Sequence, residues 1–149
     1  MFKFRLDPLI TFRDNVLKER QAELAKAHEA RRILEEDRQG IDRQLADGIV
    51  AARSAIQEGQ TVDVNALLGF RRQEIFLRAD RDRLTQMMGE IDKEIEKLLA
   101  AVVEANKELK IVEKLKEKQY EKYLSEESKT EMKIMDELAG NRHKGNNSL

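Results

Sequence analysis

Between Phe70 and Val112 the apolar residues return in steps of about three and a half. The ladder is Phe70, Leu77, Leu84, Met88, Ile91, Ile95, Leu98, Val102, Ala105, Leu109 and Val112, interrupted by Glu74 and Arg81. That spacing holds one narrow apolar stripe towards a partner helix, which is the pattern of a coiled-coil seam. A stripe so narrow needs another helix to cover it, and two helices do not enclose a pocket. Contact with other proteins is therefore expected before any enclosed chemistry.

Composition agrees with long, solvated helices. Charged residues make up 38% of the 149 residues and aromatics 5%, with one proline and no tryptophan. This starves a globular core and suits elements with much surface. The net charge is −1, with both signs interspersed. No acidic or basic tail argues for a nucleic acid or a membrane surface. The chain has no cysteine, so disulfides and thiolate metal sites are excluded. Residues 1–10 lack the apolar core of a secretory signal. No run approaches the roughly 18 apolar residues of a membrane span. A cytoplasmic protein is expected, one still able to dock peripherally on a membrane machine.

Asp7 and Pro8 open the first helix, Asp as a cap and Pro in the first turn, where its missing N–H costs nothing. A second ladder then runs through Ile10, Leu17, Leu24, Ala27, Leu34, Ile41, Leu45, Ala52 and Ile56. Arg13, Arg20, Arg31 and Arg38 take positions in it that favour apolar groups. A long arginine can lay its stem along a seam and keep its head in water. Glu58 to Asn65 is the strong interior break, and Asp63 or Asn65 can cap the next helix. Gly40, Gly48, Gly69 and Gly89 lie within the periodic pattern and are read as helical, at up to about 1 kcal/mol each. The expected fold is all-α: two long helices in an antiparallel coiled-coil hairpin. One domain covers 1–149, with helices over about 7–57 and 64–139, a turn at about 58–65 and a disordered tail at 140–149. Centring the turn near Gln60 and Thr61 sets Leu45 near Leu77, Leu34 near Met88, Leu24 near Leu98 and Ile10 near Val112. Everything beyond about Val112 is then left without a partner in the chain.

Two features stand out as docking candidates. Leu68, Ile75, Phe76 and Ala79 form a second apolar stripe beside Phe70 and Leu77. Either it packs near the turn or on a swapped chain, or it is an exposed patch for a partner. The overhang, with Leu115, Tyr120, Tyr123, Leu124, Met132, Met135 and Leu138, is either a solvated helix end or a probe that enters another protein. His28 and His143 have no companion at metal-ligand spacing and read as surface residues. The many carboxylates face Lys and Arg at helical spacing and read as a solvated face. No phosphate loop, nucleophile elbow or nucleotide motif is present. No catalytic residue, cofactor, metal, nucleic acid or small-molecule substrate is expected.

The ends of the chain carry a family resemblance. Phe4-Arg5-Leu6-Asp7-Pro8-Leu9-Ile10, followed by Arg13, resembles the N-terminus of the flagellar export protein FliJ family. Lys114 to Gln119, followed by Glu131 to Ala139 with its Asp136-Glu137 pair, is similar to that family's C-terminal helix. The resemblance implies an antiparallel coiled coil similar to the central stalk of rotary ATPases. It implies a non-enzymatic component of the flagellar type III export apparatus, cytoplasmic and peripheral to the inner membrane at the flagellar base. Its partners would be the hexameric flagellar export ATPase, the cytoplasmic region of the export gate and export chaperones. Leu115, Lys118, Met135, Asp136 and Glu137 would then lie in the ATPase ring. Phe70, Ile75, Phe76 and Leu77 would lie in the region of the gate contact. A structural coiled-coil scaffold, or the stalk protein of a non-flagellar type III secretion system, is the alternative.

Overall fold

The computed structural model describes residues 1–57 and 61–146. Two helices account for most of them, α1 (Asp7–Ala55) and α2 (Val64–Asn146), and no strand occurs among the described residues. Part of the expected turn, positions 58–60, lies outside the described residues, as do positions 147–149 of the expected tail.

The helix starts follow local chemistry, with one difference from the expectation. The Leu6 carbonyl accepts from the Leu9 and Ile10 N–H groups at 2.9 and 3.1 Å. Leu6 therefore takes the cap position, and Asp7 is the first helical residue. The Asp7 carboxylate instead accepts from Lys116 Nζ at 2.7 Å. A long-range partner has outcompeted the local cap, while the carboxylate still sits at the positive end of the helix dipole. At the second start Asp63 is the cap of the two candidates. Its Oδ1 accepts from the Asn65 N–H at 3.0 Å and the Ala66 N–H at 3.4 Å.

The other end of α2 also differs. The helix was expected to stop at Ala139, yet it continues through Gly140 to Asn146. Glycine ends a helix efficiently only by turning left-handed, and Gly140 does not take that conformation. In a regular helix it costs about 1 kcal/mol relative to alanine. Seven helical residues follow Ala139, so that cost does not break α2 here.

The packing falls into two compact units. In the unit formed by residues 19–102, α1 and α2 run antiparallel. Leu77, Leu84 and Met88 are buried, and Ile91, Ile95 and Leu98 are half-buried. Facing them, α1 offers only half-buried residues: Leu24, Ala27, Leu34, Ile41, Leu45 and Ala52. Two ion pairs report the register. Arg31 Nε meets Asp92 Oδ1 at 2.6 Å, and Arg81 Nε meets Asp42 Oδ1 at 3.0 Å. Moving eleven residues up α1, from Arg31 to Asp42, moves the partner eleven residues back on α2. Leu34 then falls level with Met88 to within about one residue, as the two ladders required.

The seam arginines explain why α1 has no buried residue. Arg20, Arg31 and Arg38 are each half-buried at seam positions. Their stems cover apolar surface and their heads find carboxylates at the rim. Arg31 reaches across to Asp92, while Arg20 and Arg38 fold along α1 to Glu23 and Glu35, each at 3.1 Å. In α2, Arg81 leaves the seam for Asp42, and Glu74 takes Arg71 and Arg78, each at 2.9 Å. The interruptions in the ladder are thus the residues that bear its ion pairs.

The second unit comprises residues 1–18 and 103–149, described to residue 146. Ala105, Leu109 and Val112 are buried on α2. Ile10 and Leu17 of α1 are half-buried, and Arg13 pairs with Glu108. The six residues before α1 form an arm against α2. Phe4 is 4% exposed, among the best shielded side chains in the protein. The Phe2 ring stands edge-on to Tyr120 at 5.2 Å and tilted to Tyr123 at 5.5 Å. The expectation that α2 is bare from Glu113 onward is corrected here. Cover from the chain itself reaches Tyr123, because a non-helical arm outside the heptad pattern continues where α1 stops.

Candidate protein-docking surfaces

Cover ends abruptly after Tyr123. Every described side chain from Leu124 to Gly145 is exposed. The apolar ones are not scattered. Tyr120 and Leu138 are eighteen residues apart, about five whole turns, so they share a line on the helix. Tyr123 and Ile134, eleven residues apart, are about three turns apart on nearly the same line. Leu124 and Met135 flank it. Met135 is 70% exposed and Leu138 59%. A seam-like face therefore runs on past the last residue that covers it. Glu127 and Glu131 lie on the same face between its apolar residues, whereas Glu126, Asp136 and Glu137 point away from it.

The five residues expected at an ATPase ring all lie on α2 in this unit, and all are exposed. They do not form one patch. Leu115 and Lys118 belong to a lysine-rich stretch level with the arm, whereas Met135, Asp136 and Glu137 lie on the uncovered stretch. Leu115 and Met135 are twenty residues apart, about five and a half turns, and point to opposite sides of the helix. Sequence reading missed the tyrosine contact. Desolvation, and then the Glu127 carboxylate, raise the Tyr123 hydroxyl above its usual pKa.

The second candidate surface belongs to the unit of residues 19–102. The structure divides the four expected gate residues into two pairs. Leu77 is buried in the seam. Phe70 is half-buried and lines a cleft of about 290 Å³ with Leu45, Gly48, Ala52, Leu67 and Leu77. Ile75 and Phe76 point outward, at 55% and 69% exposed, and Leu68 is 49% exposed. Leu68 and Ile75 are seven residues apart and share a face, with Phe76 beside them. A partner meeting the closed hairpin would touch Ile75 and Phe76, while Phe70 and Leu77 hold them in place. Arg71 donates to Glu74 on the same stretch, and this hydrogen bond is the largest influence holding the Glu74 carboxyl below its usual range.

Little else offers chemistry. His28 and His143 are exposed. Among the described residues no group of His, Asp and Glu could hold a metal ion. No helix among them is long and apolar enough to cross a membrane. The cleft near Gly48 is lined by seam residues of both helices together with Gln44, Arg53, Arg71 and Gln73, and by no cluster of nucleophile and base.

A family model described as the flagellar FliJ protein matches residues 2–148. Neither the curated proteins nor the solved structures gave a match.

Proposed function

Because the chain belongs to the flagellar FliJ protein family, with its export-related role, we propose that it is a non-enzymatic coupling component of the flagellar type III export apparatus. The uncovered stretch of α2 enters the ring of the hexameric export ATPase. The patch at Ile75 and Phe76 contacts the cytoplasmic region of the membrane export gate. Export chaperones are a third class of partner, for which no residue is assigned. On this reading the protein works in the cytoplasm, peripheral to the inner membrane at the flagellar base.

One observation carries the reading: Leu124, Ile134, Met135 and Leu138 stand exposed on one face of α2, with no described residue of the chain covering them. A helical stretch of that length is marginal in water without tertiary packing. Burying each such side chain is worth about 1.5–3 kcal/mol, which favours a state in which a partner surrounds it. The opposed directions of Leu115 and Met135 favour a pore over a flat dock, since a ring touches a helix from all sides.

A chain truncated after Leu124 tests this. It keeps the buried residues of both units and the arm contacts, so its urea midpoint should match that of the full chain. It should fail to stimulate the ATPase. Stimulation equal to that of the full chain would remove the ring from the proposal. For the gate, Phe76→Asp should weaken binding to the cytoplasmic gate region at unchanged stability, and unaltered binding would reject the patch.

A further inference from the structure

Phe2 occupies the upper part of the same apolar line that is bare below it. We propose that Tyr120 and Tyr123 are a further part of the ring-binding surface, partly occupied in the free protein by a detachable latch, Met1–Lys3, hinged at Phe4. The inference rests on the ring reading above and extends it by two residues and a closed state.

The arm has the build of a latch. Phe4 is its anchor, 4% exposed, with its carbonyl accepting from the Asp7 N–H at 3.2 Å. Asp7 and Lys116 pair at 2.7 Å just beyond the anchor. These contacts tie the base of the arm to both helices. Lys3 is exposed and can take up a backbone rotation. Phe2, beyond the hinge, is held by its rings' contacts with Tyr120 and Tyr123. Residues 1–3 belong to neither helix. A single aromatic side chain thus makes ring contact with both tyrosines, while Tyr120 keeps 46% of its surface exposed.

The helix geometry says why a partner would want them. Tyr120 lies about five turns above Leu138 on one line, and Tyr123 about three turns above Ile134. A ring that takes Ile134, Met135 and Leu138 and follows that face upward passes Glu131, Glu127 and Leu124 and then reaches Tyr123 and Tyr120. Tyrosine offers large, stiff contact area with a polar tip, a combination enriched at interfaces. Phe2 must leave first. The apparent affinity is then reduced by the fraction of chains whose latch is open, and removing the latch restores it.

The chain has no tryptophan, and Tyr120 and Tyr123 are its only tyrosines, so its intrinsic tyrosine emission reports on this site alone. Phe2→Gln removes the latch and leaves Phe4 in place. In the free full-length chain it should raise quenching of tyrosine emission by acrylamide. It should also tighten binding to the purified export ATPase by about tenfold, equivalent to about 1.4 kcal/mol. Tyr120→Ala with Tyr123→Ala should weaken binding by at least about tenfold. If the original chain binds the ring and Phe2→Gln leaves quenching and affinity unchanged, or weakens binding, the latch is wrong while the ring reading stands. If the original chain does not bind the ring at all, the ring reading fails and the latch falls with it.

Discussion

Met88→Asp should unfold the unit of residues 19–102. Met88 is 4% exposed, level with Leu34 across the seam and one turn from Leu84. Aspartate there loses the packing of a buried side chain, worth about 2–5 kcal/mol. It also places a carboxyl among the packed apolar side chains of the seam. The group either stays charged at a cost of several kcal/mol or takes up a proton. A loss of about 4 kcal/mol or more is expected, a large share of the stability of any small domain. The neighbouring position supplies the control. Met87 is 38% exposed, and Met87→Asp should change stability by no more than about 0.5 kcal/mol. Urea unfolding followed by circular dichroism reads both. Equal losses at the two positions would mean that α2 does not present this face to α1.

The second large effect concerns binding without stability. Met135→Asp combined with Leu138→Asp changes two side chains that are 70% and 59% exposed. Neither touches the buried seam, so the urea midpoint should stay where it is. Each side chain buried in a partner contributes about 1.5–3 kcal/mol, and an aspartate in its place adds desolvation. Association with the export ATPase should therefore fall by at least about a hundredfold. Glu127 and Glu131 already lie on the same face, so two further carboxylates alter the apolar positions themselves, not the sign of their surroundings. Retained affinity would show that the ring grips α2 elsewhere, away from Met135 and Leu138.

Much of the architecture was legible because coiled coils write their geometry in spacing. The buried residues Leu77, Leu84, Met88, Ala105, Leu109 and Val112 all belong to the ladder read from periodicity. Arg13, Arg20, Arg31 and Arg38 stood out as seam arginines, since a heptad names its positions whatever residue fills them. What such spacing could not show is where each guanidinium goes. Arg31 crosses to Asp92, yet Arg38 turns back to Glu35, and the choice depends on side-chain geometry across the helices.

The features that escaped lie outside the period. The arm has no repeat to read, yet two of the chain's five phenylalanines stand in its first four residues. Two aromatics beside a helix start are a signal that a short segment has something to cover, and the tyrosines at 120 and 123 were available as the counterpart. Leu6 as cap escaped because an aspartate followed by proline is a strong local cue, and Lys116, more than a hundred residues away, offers the carboxylate a better partner. Gly140 misled in the opposite direction: a glycine near a polar tail reads as a stop, but only a left-handed turn would make it one. The four candidate gate residues were near one another in sequence, and helical geometry divided them, two inward and two outward.

The uncovered end of α2 is the claim from which the rest follows, and a photo-activated cross-linker placed at position 138 tests it most directly. In cells assembling flagella it should join the chain to a subunit of the export ATPase, while the same probe at Leu34, inside the seam, should not. Attachment to the ATPase from Leu34 and none from position 138 would contradict the account.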